Sequence, residues 1–124
     1  MKVLIAEDNI VNQLLIRLYM KKLGWEYVIV DNGLKAIEAC RTGDFNAVLM
    51  DINMPELNGY EATESIRTFN GQIPIIALTA SCENFNRIKY AQAGMNAILE
   101  KPVSLNSVRD VITGLVVLDR VPIV

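Results

Sequence analysis

Short apolar runs alternate with amphipathic stretches along the whole chain. Residues 3–6, 27–30, 47–50, 75–78 and 97–99 lack the polar alternation of a half-exposed strand, so they read as parallel strands covered on both faces. Between them, Val11, Leu14, Leu15 and Leu18 mark one face of a first helix, and Gly33, Ala36, Ile37 and Cys40 mark a narrower stripe on a second. A third helix is expected over 58–69 with Ile66 facing inward, and a weaker fourth over 83–93, closed by Gly94. Val108, Val111, Ile112 and Leu115 form the stripe of a fifth, with Ser104 as its N-cap. Five strands strictly alternating with five helices, joined by right-handed crossovers, predict an α/β fold. The sheet should be open and doubly wound, since a closed barrel needs eight such units.

The chain of 124 residues suits one domain over 1–118, followed by a short tail over 119–124 that contains a proline and no further periodicity. Twelve basic residues against fourteen acidic ones give a net charge of −2, and the basic residues are scattered, which argues against a direct nucleic-acid partner. Cys40 and Cys82 form no CxxC pair, and with no histidine in the chain they read as free thiols in a reducing, cytoplasmic setting. The apolar start is too short for a signal peptide, and no run is long enough for membrane insertion.

In doubly wound sheets ligands bind beyond the carboxyl ends of the strands. There the sequence is unusual. Strand one is followed by Glu7-Asp8, strand three by Asp51, strand four by Thr79-Ala80 and strand five by Glu100-Lys101-Pro102. Single acidic residues at strand ends are common: Glu7 and Asp8 could merely cap the first helix, Thr79 could bond the backbone, and Lys101 could be a surface charge. Together, three carboxylates gathered at one edge repel one another unless a cation sits among them. Oxygen ligands without histidine or thiolate favour magnesium.

Ile5-Ala6-Glu7-Asp8-Asn9, Met50-Asp51-Ile52-Asn53-Met54-Pro55 with Gly59, Ala77-Leu78-Thr79-Ala80, Gly94-Met95 and Lys101-Pro102 occur in this order. This succession closely resembles the receiver domain of response regulators, and most closely the receivers of hybrid histidine kinases. The resemblance implies a flavodoxin-like, CheY-like sheet of five parallel strands in the order 2-1-3-4-5. It also implies a magnesium-assisted signalling switch, not a classical enzyme. Asp51 would take a phosphoryl group from a phosphohistidine of a histidine kinase or phosphotransfer domain. Asp8 would bind the metal directly, Glu7 through water, and Asn53 through its backbone carbonyl, with Asp51 completing the set. Lys101 would face a phosphoryl oxygen, the Thr79 hydroxyl would move to bond another, and Ala80 would leave space and offer its N–H. The Lys101-Pro102 peptide would be cis.

The chain departs from the family at Ile98, where receivers usually carry Tyr or Phe, so the aromatic half of the usual switch is missing. Asn96 and Ala97 stand where many hybrid-kinase receivers are acidic. Ser81 and Asn53 border the expected path of a hydrolytic water, and neither is an obvious base. A homodimer through helices four and five is a possibility that the family brings with it. A dehalogenase-like phosphohydrolase fits poorly, because its second acid is Asn53 here and no general acid stands beside the nucleophile. A flavin binder fails because Glu7-Asp8 would repel a phosphate. The remaining alternative is an unphosphorylated docking module of the same fold. Retention of Glu7, Asp8, Asp51, Thr79 and Lys101 together weighs against it, since idle clustered carboxylates carry an electrostatic cost.

Overall fold

In the computed structural model, the apolar runs pair as parallel strands: β1 (Lys2–Ala6), β2 (Glu26–Val30), β3 (Ala47–Asp51), β4 (Ile75–Thr79) and β5 (Ala97–Glu100). They alternate with α1 (Ile10–Leu23), α2 (Gly33–Thr42), α3 (Gly59–Arg67), α4 (Arg87–Ala93) and α5 (Leu105–Arg120). Residues 1–82 and 86–120 are described, 118–120 by backbone alone. The sheet order is β2-β1-β3-β4-β5, as expected. Register pairs Ala6 with Val30 and Met50, and Asp51 with Leu78, so the strand ends that carry the polar residues lie along one edge.

Alternation along each strand divides the core into two layers. Val3, Ile5, Leu49, Ile76 and Leu78 point to one face and pack with Ile16 and Met20 of α1 and with Val108 and Ile112 of α5. Leu4, Val48, Met50, Ile75 and Ala77 point to the other, against Ala36 and Cys40 of α2, Ile66 of α3 and Ala93 of α4. Full burial of each large aliphatic side chain contributes about 1.5–3 kcal/mol, which makes the central strands the rigid base of the site.

Asparagines start four helices. Asn9, Asn32, Asn58 and Asn86 each accept a hydrogen bond from the amide three residues on, and Asn58 with Glu61 closes a reciprocal capping box. Ser104 takes the same role for α5, accepting from the Ser107 amide at 3.1 Å. Gly24 and Gly94 end α1 and α4 with φ of 70° and 92°, a conformation that glycine adopts without strain. Behind α4, the Arg67 guanidinium donates to the Gly94 carbonyl at 2.8 and 3.0 Å and to Asn96 Oδ1 at 2.9 Å, and Asn96 Oδ1 also accepts from the Ile75 amide. Asn96 therefore ties α3 to the start of β4.

Several expectations are corrected. Three of the four residues that marked the face of α1 are turned to solvent: Val11 is 73%, Leu14 55% and Leu18 56% exposed, whereas Leu15 is half-buried and Ile16 and Met20 are buried. This helix has more apolar residues than one face can hold, and the sheet takes the row that runs on to Leu23 and Trp25. Strand β2 is an edge, with Glu26 and Val28 exposed, so it is not covered on both faces. Helix α3 ends at Arg67, two residues early, and Asn58 is its cap. Asn86 is extended and caps α4, so that helix begins at Arg87; the expected start at Glu83 lies outside the described residues. Helix α5 runs to Arg120, into the segment read as a tail, and 121–124 lie outside the described residues.

Candidate functional site

β3 and β4 carry Asp51 and Thr79 as their own last members, while Glu7 and Lys101 directly follow β1 and β5, so the sheet ladder fixes the backbone beneath the site. The Glu7 amide donates to the Val30 carbonyl at 3.0 Å, the Ile52 amide to Leu78 at 3.1 Å and the Lys101 amide to Thr79 at 2.7 Å. Gly59 brings the start of α3 against the backbone of Asp51 and Ile52; a Cβ there would collide with the Asp51 carbonyl. Its amide donates to the Ile52 carbonyl at 2.8 Å.

Above this base lie two buried carboxylates and one ammonium. Glu7 is fully buried and Asp51 is 2% exposed. Lys101 Nζ lies 2.8 Å from Glu7 Oε1 and 3.0 Å from Asp51 Oδ2. Asp51 Oδ1 accepts from the Asn53 amide at 3.1 Å, and Glu7 Oε2 from the Asn9 amide at 3.1 Å. Burial pushes the Asp51 carboxyl up to about 7, helped by the adjacent Glu7 and opposed by Lys101. Glu7 is also pushed upward by burial, but hydrogen bonds from Asp51, Lys101 and the Asn9 amide hold it below its ordinary value. Burial depresses Lys101, yet the two carboxylates raise it overall. The two acids are thus driven in opposite directions, Asp51 up and Glu7 down, with one ammonium between them.

Asp8 stands beside them, exposed. One oxygen each from Glu7, Asp8 and Asp51 lie within 4.8 Å of one another. Glu7 Oε1, although close to Lys101, is buried without a hydrogen bond of sound geometry. An all-oxygen set with an unsatisfied buried acceptor and one open side fits a small hard dication that keeps part of its water shell.

Thr79 and Ala80 lie to one side. The Thr79 hydroxyl is turned into its own loop, donating to the Ser81 carbonyl at 3.2 Å and accepting from the Ser81 amide at 3.3 Å. A cavity of about 260 Å³ opens there, lined by Asn53, Tyr60, Thr79, Ala80, Ser81 and Lys89 among others. Glu7, Asp8, Asp51 and Lys101 are therefore gathered in one cluster, whereas Thr79 and Ala80 border it. The Lys101-Pro102 peptide is cis. Ile98 is half-buried in the same apolar layer as Tyr90 of α4.

Two contributors were given no role in sequence. Gln13 Nε2 donates to the Glu7 carbonyl at 2.6 Å, and Glu100 Oε1 accepts from the Cys82 amide at 3.0 Å. The first had a signal, since Gln13 lies one helical turn after the cap Asn9. The second depends on a loop path that no periodicity reports.

The fold and the site together define an open, doubly wound α/β domain with an acidic pocket, a lysine and a threonine at its strand ends. Residues 3–113 match the response regulator receiver domain, and the chain belongs to that family, whose members are signalling switches of two-component systems. It is 37% identical to the receiver domain of sensor histidine kinase PA1611 from Pseudomonas aeruginosa, solved with magnesium in its active-site cleft (TM-score 0.87, covering 93% of this chain and 96% of that one). It is 31% identical to the Saccharomyces cerevisiae Ssk1 receiver, solved in complex with the histidine phosphotransfer protein Ypd1 (TM-score 0.88, 98% and 92% covered). Sensor histidine kinase GacS of Pseudomonas protegens is 35% identical over 129 residues, covering 98% of this chain. The chain spans 14% to 19% of the length of the first curated relatives it matches. Among the described residues no helix is long and apolar enough to cross a membrane.

Proposed function

We propose that this receiver takes a phosphoryl group onto Asp51 from a phosphohistidine of a histidine kinase or histidine phosphotransfer domain, with magnesium, and changes conformation in response. The observation that carries the reading is the buried Asp51 carboxylate, which has Lys101 3.0 Å from one oxygen and the Asn53 amide 3.1 Å from the other. A carboxylate held this way has one fixed direction of attack, and proximity with charge balance is what phosphoryl transfer requires.

In the forward step an Asp51 oxygen forms a bond to phosphorus as the P–N bond to histidine breaks. The electron pair leaves with the imidazole, and an acyl phosphate remains. Bound magnesium would neutralise charge on the acceptor and the arriving group; Asp8, Glu7, Asp51 and the Asn53 carbonyl would hold it. Lys101 keeps its ammonium against a phosphoryl oxygen. Thr79 leaves Ser81 to bond a second oxygen, and Ala80 offers its N–H. Ser81 and Asn53 flank the approach of water for hydrolysis, and neither is a base.

The outward row of α1 supports a helical, histidine-bearing donor. Ile10 is 70% exposed, and with Val11, Leu14 and Leu18 it forms an apolar strip that begins two residues after Asp8. The similarity to the Ssk1 receiver, crystallised with its phosphotransfer protein, supports the same class of partner.

The test is intact-mass analysis after incubation with a small acyl phosphate, with and without magnesium, on wild type and Asp51→Asn. A magnesium-dependent phosphoryl adduct absent from the variant is expected. An adduct on Asp51→Asn would refute the site, and no adduct even from a phosphohistidine protein would favour an unphosphorylated docking module.

A further inference from the structure

We infer that Glu100 is a positioning residue, a latch holding the loop after β4, and with it the Thr79 hydroxyl, in the place it occupies before phosphorylation. This rests on the reading of Asp51 as phosphoacceptor. Glu100 and Lys101 are neighbours at the tip of β5 with separate tasks. Lys101 faces Glu7 and Asp51, while Glu100 Oε1 accepts from the Cys82 amide at 3.0 Å. Glu100 sits in register with Thr79, and the Lys101 amide donates to the Thr79 carbonyl at 2.7 Å. The root of the loop is thus fixed by the ladder.

Beyond that root, the path through Ala80 and Ser81 to Cys82 is tied differently. The two bonds between Thr79 and Ser81, at 3.2 and 3.3 Å, are long and local, the weak kind that a hydroxyl makes with its own turn. The bond to Glu100 is shorter, charge-assisted and spans 18 residues of sequence. For the Thr79 hydroxyl to reach a phosphoryl group on Asp51 it must leave Ser81, and Cys82 must be free to follow. An anchor on Cys82 that belongs to the rigid strand end therefore favours the resting position. Removing it shifts the population toward the bound arrangement before any ligand arrives, and a ligand that needs this arrangement then binds more tightly.

Calorimetric titration with beryllofluoride, a phosphoryl mimic, in saturating magnesium tests the latch on wild type, Glu100→Ala, Glu100→Gln, Thr79→Ala and the Glu100→Ala/Thr79→Ala double variant. Glu100→Ala should bind roughly three- to tenfold more tightly, the size of one lost hydrogen bond. Glu100→Gln keeps an acceptor oxygen and should stay near wild type. With Thr79→Ala the gain should vanish, because the latch acts through that hydroxyl. Unchanged or weaker binding by Glu100→Ala, an equal gain in Glu100→Gln, or a gain that persists without Thr79 would each overturn the latch while leaving Asp51 as acceptor. A wild type that binds no beryllofluoride with magnesium would overturn both.

Discussion

Asp8 and Asp51 carry the same functional group in opposite surroundings, one open to water and one nearly sealed beneath Lys101. Burial makes charge on Asp51 costly and so keeps its carboxyl near 7, which makes a counter-cation a condition of nucleophilicity. The same contrast separates the two cysteines. Cys40 is buried in the α2 stripe, and burial pushes its thiol up to about 11, whereas Cys82 is exposed. Because the thiolate is the reactive form, a maleimide at pH 8 should modify Cys82 within minutes and Cys40 only when the fold is opened by denaturant. Peptide mapping after a timed quench checks this. Rapid labelling of Cys40 in native protein would mean that the layer under α2 opens far more readily than its packing implies.

At the scale of elements, the strands were legible because a covered strand has a continuous apolar run, and the sheet order followed from the family resemblance. The edges were not: β2 is as apolar in sequence as β3, and only its position leaves Val28 in solvent. Gathering Glu7, Asp8, Asp51 and Lys101 was legible because topology alone brings strand ends together. The link from Glu100 to Cys82 was not, because it depends on how a loop folds back. Helix α1 misled because Val11, Leu14 and Leu18 have core spacing but face outward. That misreading becomes informative if the strip is a docking surface. Leu14→Glu should then leave stability within about 0.5 kcal/mol, as surface changes do. Phosphorylation by a small acyl phosphate should be unchanged, while transfer from a phosphohistidine protein should slow by roughly tenfold or more, the cost of losing a central apolar anchor. Equal slowing with both donors would place the defect in the site, and no slowing with either would remove α1 from the interface.

For the molecule as a whole, the acidic cluster sets function against stability. Packing of both layers supplies the favourable energy, while the site holds two buried acids against one ammonium, with Asp8 adding a further negative charge beside them. A dication that binds only the folded arrangement should recover that loss. At a hundredfold excess over Kd it would add about 2.7 kcal/mol. For a domain of this size that is a rise in Tm on the order of 10 °C. Scanning calorimetry in magnesium chloride, against sodium chloride of equal ionic strength, separates binding from screening. Asp8→Ala should shrink the magnesium-dependent rise without lowering the metal-free Tm, since an exposed charge that repels its neighbours is lost along with a ligand. A wild type whose Tm ignores saturating magnesium would show that the three carboxylates do not form a metal site. A metal-free Tm lowered by Asp8→Ala would show that Asp8 stabilises the fold instead of straining it.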